Sequence, residues 1–154
     1  MASVDPLTTV FWIRVATAIA CGTVIGLERQ IHGKPVGVRT CILICLGTAL
    51  FVQLGAGFAA EHADRSRVLG QVVTGVGFIG AGVIIAREGL VKGVTTAAVI
   101  WLLAALGSAI GLDQFAGAMT IAIVAVVLLT GIERIESFAD RLRGRPRDDE
   151  HRGG

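Results

Sequence analysis

The sequence predicts an all-α membrane protein of five transmembrane helices, N-terminus outside and C-terminus cytoplasmic. Three observations carry that prediction. The mean hydropathy is +0.73, with 53% hydrophobic and 17% charged residues in a chain of 154, more apolar than an ordinary soluble domain. The charges cluster, leaving five apolar stretches of 18 to 21 residues, where about 20 suffice to cross about 30 Å of hydrocarbon as a helix. Lys and Arg, finally, fall on alternate sides of those stretches.

The first stretch is 7–27, and residues 1–10, where it begins, contain no Lys or Arg. A cleaved signal would carry a basic leader there, so the helix is expected to be retained. It contains Arg14, whose head can extend toward the outer interface while its stem stays in lipid or protein. A buried pairing partner for Arg14 is the alternative, and the sequence shows no mid-membrane carboxylate to support it.

The second stretch, 40–60, lines one face with Cys41, Cys45, Thr48, Gly55 and Ala59. A metal pair at Cys41 and Cys45 would need further ligands nearby, so these cysteines, like Cys21, read as small packing residues.

The third stretch, 68–86, contains TGVGFIGAG, in which Gly75, Gly77 and Gly80 spell a dinucleotide-binding fingerprint. That chemistry requires a preceding strand, a helix start and an acid about 20 residues on. Glu88 comes too soon and no soluble βαβ unit surrounds the glycines. On a helix turning about 100° per residue, Gly70, Thr74, Gly77 and Ala81 share one face. Gln71, Gly75, Gly82 and Ala86 share another. Small residues mark close approach of helices in lipid; two seams, with Gly80 counted among the packing residues, predict a helix at the centre of the bundle. The fourth stretch, 93–112, repeats the device with Gly93, Ala97, Ala104, Ser108 and Gly111, and the fifth is 115–132.

Residues 1–132 thus form one transmembrane domain. Beyond it, Ile132, Ile135, Ala139 and Leu142 recur at helical spacing, predicting an amphipathic cytoplasmic helix. A disordered polar tail completes the 133–154 segment.

Orientation follows from the basic residues. Arg29, Lys34, Arg39, Arg87, Lys92, Arg134, Arg141, Arg143, Arg145, Arg147 and Arg152 lie on one side, against Arg65 and Arg67 on the other. Eleven against two places the first group in the cytoplasm.

Helices two to five contain no Asp, Glu or His, which counts against an ion-coupled transporter. No Ser/His/Asp set, paired carboxylates or Walker loop is present, so a non-enzymatic protein without cofactor or nucleic-acid partner is expected. Polar residues instead collect at the cytoplasmic helix ends: Glu28, Arg29, Arg39, Thr40, Arg87, Glu88, Lys92, Thr95 and Thr96. They suit a functional cluster or, equally, a set of interfacial anchors.

The segments GLERQ (26–30), GVRT (37–40), TGVGFIGAGVI (74–84), REG (87–89) and VKGVTTAAVIW (91–101) resemble, in order, the MgtC/SapB family of bacterial inner-membrane proteins. The resemblance implies a five-helix domain in the cytoplasmic membrane, with roles in growth at low magnesium, acid tolerance or survival in a host. It further implies modulation of another membrane protein. The magnesium association suggests a second reading, a small oligomeric Mg²⁺ channel or transporter in which Glu28 and Glu88 hold the hydrated ion. Under either reading the bilayer, a membrane-protein partner and further copies of the chain are the expected partners. Where the family often has His after the Arg-Thr pair, this chain has Cys41. Many members also continue into a soluble domain, where only a short tail is expected here.

Overall fold

A computed structural model describes residues 4–58, 65–87 and 90–142. Five helices and one hairpin follow in order: α1 Thr9–Ile31, α2 Val38–Phe58, α3 Arg65–Gly82, β1 Ile85–Arg87, β2 Leu90–Lys92, α4 Val94–Gly111 and α5 Phe115–Leu142. The strands pair antiparallel, Ala86 opposite Val91. Helix α1 starts at Thr8, whose Oγ1 accepts from the Phe11 amide at 3.4 Å and so satisfies one of the first-turn donors.

The helices run up and down, giving the bundle two ends. One carries the hairpin, the C-terminus of α1 and the N-termini of α2 and α4. The other carries the N-terminus of α1 and the tight α4–α5 turn at Asp113.

Helices α1, α2, α4 and α5 share the main core. Ala18, Cys21 and Ile25 of α1 meet Cys41, Cys45 and Ala49 of α2, Leu103, Leu106 and Ile110 of α4, and Ala118 and Ala122 of α5. Close approach of backbones sets the geometry. A Cβ on Gly22 or Gly26 of α1 would stand 2.6 or 2.5 Å from the Cα of Ile42 or Val38 on α2. Likewise a Cβ on Gly107 would collide with the Cys45 carbonyl, and one on Gly111 would stand 2.8 Å from the Ala49 carbonyl oxygen. Helices this close gain dispersion contacts that lipid chains cannot replace.

Helix α3 is peripheral, which corrects the expectation that it stands at the centre. Among its described residues only Val76 and Gly80 are buried, Val76 packed with Ile100 and Ala104 of α4, while Phe78 is 83% exposed. It also ends at Gly82, so the expected third stretch, 68–86, overruns the helix and its last residues enter strand β1. The reason lies beyond it: β-branched Val83, Ile84 and Ile85 favour extended backbone, and Gly93 returns the chain to α4.

Four of the helices are long and apolar enough to cross a membrane: Thr9–Ile31, Val38–Gly55, Val94–Gly111 and Phe115–Ile132. Helix α3 opens on Arg65 and Arg67 and carries Gln71, and it is not among them. Large apolar side chains point outward, among them Trp12, Leu43, Phe51 and Val127, as a bundle solvated by lipid requires. Helix α5 continues unbroken past Ile132 to Leu142. The polar tail expected beyond Gly144 lies outside the described residues.

Candidate functional site

Polar side chains enter the bundle at both ends. At the Asp113 end, Arg14 of α1 is buried and donates from Nε to Asp113 Oδ1 at 2.8 Å and from Nη2 to Oδ2 at 3.0 Å. With its amide turned so that the oxygen faces the guanidinium, Gln53 of α2 also accepts from Nε at 3.1 Å and Nη2 at 3.0 Å. One cation therefore ties α1, α2 and the α4–α5 turn together. This corrects the reading of Arg14 as a lone interfacial anchor. Its carboxylate partner is not mid-membrane but in the turn, where Asp113 adopts φ 64° and its own N–H donates to the Ile110 carbonyl at 3.0 Å.

At the hairpin end, the α1 C-terminus brings Glu28 and Arg29 inside, 4% and 3% exposed. Their nearest approach, Arg29 Nη1 to Glu28 Oε2, is 3.8 Å, too long for a hydrogen bond. Both Glu28 carboxylate oxygens and Arg29 Nε lack hydrogen-bond partners. His32 Nδ1 lies 3.2 Å from Glu28 Oε1 and 2.7 Å from the Glu28 carbonyl oxygen. Proximity without satisfaction is unusual for buried charge.

Arg29 lines a cavity of about 650 Å³ with Lys34, Lys92, Thr95 and Thr96, closed on one side by Leu128 and Ile132 of α5. Gly93 also lines it. This residue caps α4 at φ 92°, with no side-chain hydrogen bond to the first-turn amides, and a Cβ there would collide with the Val83 carbonyl oxygen.

The expected cytoplasmic cluster is thus partly assembled. Arg29, Lys92, Thr95 and Thr96 share the cavity, and Glu28 lies buried beside Arg29. Arg39 and Thr40 are exposed, and Thr40 instead lines an apolar groove of about 620 Å³ between α2 and α3. The side chain of Arg87 and the whole of Glu88 lie outside the described residues, so the Glu28/Glu88 pair does too. Among the described residues no three His, Cys, Asp or Glu gather as a metal site.

Of the expected packing residues, Gly80 lies against Ala97 of α4 at 3.7 Å, measured to an ideal Cβ. Cβ atoms at Gly70, Gly75, Gly77 or Gly82 would meet nothing within 4 Å. Gln71, Thr74 and Ala81 are exposed as well, so both α3 seams are open in a single copy. Sequence reasoning missed Asp113, Gln53 and the Gly22/Gly26 and Gly107 contacts. The four-residue spacing of Gly22 and Gly26 was a signal for the helix contact.

These features define a helical membrane-bundle protein with polar chemistry confined to its ends. The sequence profile of the MgtC family matches residues 15–138, and the chain belongs to that family. It is 50% identical over 117 residues to YhiD of Escherichia coli K12, and 34% identical over 140 residues to MgtC of Salmonella typhimurium 14028s. These alignments cover 71% and 88% of the chain. SapB of Bacillus subtilis is 39% identical over 108 residues, 64% of this chain and 46% of SapB. The chain spans 54% of YhiD and 59% of MgtC. No solved structure matches it. Family and apolar helices together make it a multi-pass protein of the bacterial inner membrane.

Proposed function

We propose that this chain is a non-enzymatic membrane protein that modulates another membrane protein from its hairpin end, in adaptation to low magnesium, acid or host stress. The hairpin end faces the cytoplasm in this reading, supported by the eleven basic residues on that side. α3 then completes a fifth crossing.

One observation carries the reading. Between Arg14 and Gln53 at one end and Glu28 and Arg29 at the other, the interior is Ala18, Cys21, Ile25, Cys45, Leu103 and Ile110, packed to 0% exposure. Thr48 is the buried polar side chain in that interval. An ion crossing one copy would meet neither water nor carboxylate, and stripping its hydration there is prohibitive. The hairpin end, by contrast, offers buried charge without full satisfaction and an exposed apolar hairpin, with Ile85, Leu90 and Val91 turned outward. Such groups suit contact with a second protein.

The test is recovery of partners from native membranes with wild type, Glu28→Gln and Arg39→Gln. Loss of a specific membrane partner with either variant supports the modulator; unchanged recovery from folded protein sinks this version.

YhiD bears the name "Putative magnesium transporter YhiD", and Glu28 is a buried carboxylate with unfilled oxygens. Both favour a second reading, Mg²⁺ transport between copies of an oligomer assembled through the open α3 seams. Flux of Mg²⁺ into liposomes containing the purified protein, abolished by Glu28→Gln, would establish it in place of the first.

A further inference from the structure

We propose that the hairpin-end cavity binds a phosphate-bearing anion, seated between Arg29, Lys92 and the first turn of α4. This proposal is independent of whether the protein modulates a partner or moves magnesium.

The charge of the walls sets the ligand's sign. Arg29, Lys34 and Lys92 line the cavity together, and among the described residues no Asp or Glu joins them. A hydrated divalent cation would meet three positive heads there, whereas an anion would be held by them.

Two independent sets of donors converge. The first is the N-terminus of the 18-residue helix α4, whose cap residue Gly93 contributes no side-chain acceptor. First-turn amides lack intrahelical partners, and the helix dipole adds positive potential. Thr95 and Thr96 add hydroxyls at the same place, Thr96 being 3% exposed. The second is Arg29, also 3% exposed, which lines the cavity and whose Nε has no hydrogen-bond partner. A buried guanidinium N–H left unmade is costly. A phosphate oxygen would satisfy it in the fork geometry that arginine favours.

Such a phosphate can come from a lipid headgroup or from free phosphate. The α5 residues that line the cavity, Leu128, Leu129 and Ile132, are apolar. Leu128 and Ile132 are more than half exposed and continue a stripe through Ile121 and Val124 along the outside of α5. An acyl chain can lie on that stripe while its phosphate enters the cavity, and a free anion makes no use of it.

Binding is read by native mass spectrometry of the purified protein with phosphatidylglycerol or phosphatidylcholine, and by calorimetric titration with inorganic phosphate. Variants are Arg29→Gln and the exposed Lys92→Gln, which keeps the test valid if the buried variant fails to fold. Phosphatidylglycerol retained in preference to phosphatidylcholine, with about a tenfold loss in Lys92→Gln, is the expected result and identifies a lipid headgroup. Saturable inorganic phosphate binding, weakened by the same variant, supports the site with a free anion as its source. Wild-type protein that shows no preference between the lipids and no phosphate binding overturns the proposal. So does binding that Lys92→Gln and Arg29→Gln leave unchanged.

Discussion

Arg14 on α1 and Asp113 in the α4–α5 turn are joined by two parallel hydrogen bonds, 2.8 and 3.0 Å long, with the arginine side chain 9% and the aspartate 50% exposed. The pair staples the first helix to the last hairpin of helices across 99 positions of sequence. Its value lies less in Coulomb attraction, which the half-exposed carboxylate weakens, than in satisfying a cation that α1 has drawn inside. Asp113→Ala leaves Arg14 with Gln53 as its remaining partner and is expected to cost about 1–3 kcal/mol. Unfolding of the detergent-solubilised protein measures it. Stability unchanged within error would show that the guanidinium escapes to the interface without the aspartate.

Much of this fold was legible in the sequence because helices in lipid are written in long apolar runs. The bounds of α4 and the start of α5 fall within a residue of the apolar stretches that predict them. The polar ends were legible as composition but not as geometry. Arg14 and Asp113 are each recognisable alone, yet their meeting depends on how α1 packs against the α4–α5 turn, which no local pattern records. The glycines misled for a related reason. A small residue permits close approach without specifying the partner, so the densest run, on α3, was read as central. The closest approaches of helix backbones lie at Gly22, Gly26, Gly107 and Gly111, while four α3 glycines face open space.

That contrast gives a paired test. In Gly26→Ala the new Cβ would stand 2.5 Å from the Val38 Cα, with backbone rather than a flexible side chain in its way. A loss of about 1–3 kcal/mol is expected. Gly77→Ala adds its methyl where nothing lies within 4 Å, and helix propensity favours it by up to about 1 kcal/mol. If the open seam instead joins two copies, Gly77→Leu will shift the oligomer to monomer in sedimentation runs without lowering monomer stability. Equal damage from the alanine at both positions would refute the assignment of α3 to the periphery.

Glu28 and Arg29 test whether neighbouring buried charges form a pair. Their 3.8 Å approach is not a hydrogen bond, and unpartnered atoms remain on each. A double-mutant cycle with Glu28→Gln and Arg29→Gln, followed by thermal unfolding in detergent, is therefore expected to show coupling below about 1 kcal/mol. Coupling of about 3 kcal/mol or more, the range in which removing one buried partner strands the other, would mean that the two close into a salt bridge. Arg29 would then not be available to an anion.

Gly93 is where fold and cavity depend on the same atom. It holds φ 92° while carrying the chain from β2 into α4, and its missing Cβ leaves room for the Val83 carbonyl. Gly93→Ala combines a left-handed backbone, strained for alanine, with a collision against backbone, a cost of about 2–4 kcal/mol. The chain can relieve it by rotating the cap, which would displace the first-turn amides of α4 from the cavity. Gly82→Ala, at the end of α3 with nothing within 4 Å of its Cβ, is the control for helical glycine as such. The expected outcome is that Gly93→Ala lowers the unfolding temperature and weakens phosphatidylglycerol retention, while Gly82→Ala changes neither. Retention preserved in folded Gly93→Ala would show that Arg29 and Lys92 hold the anion without the α4 amides, and would confine the site to the side chains.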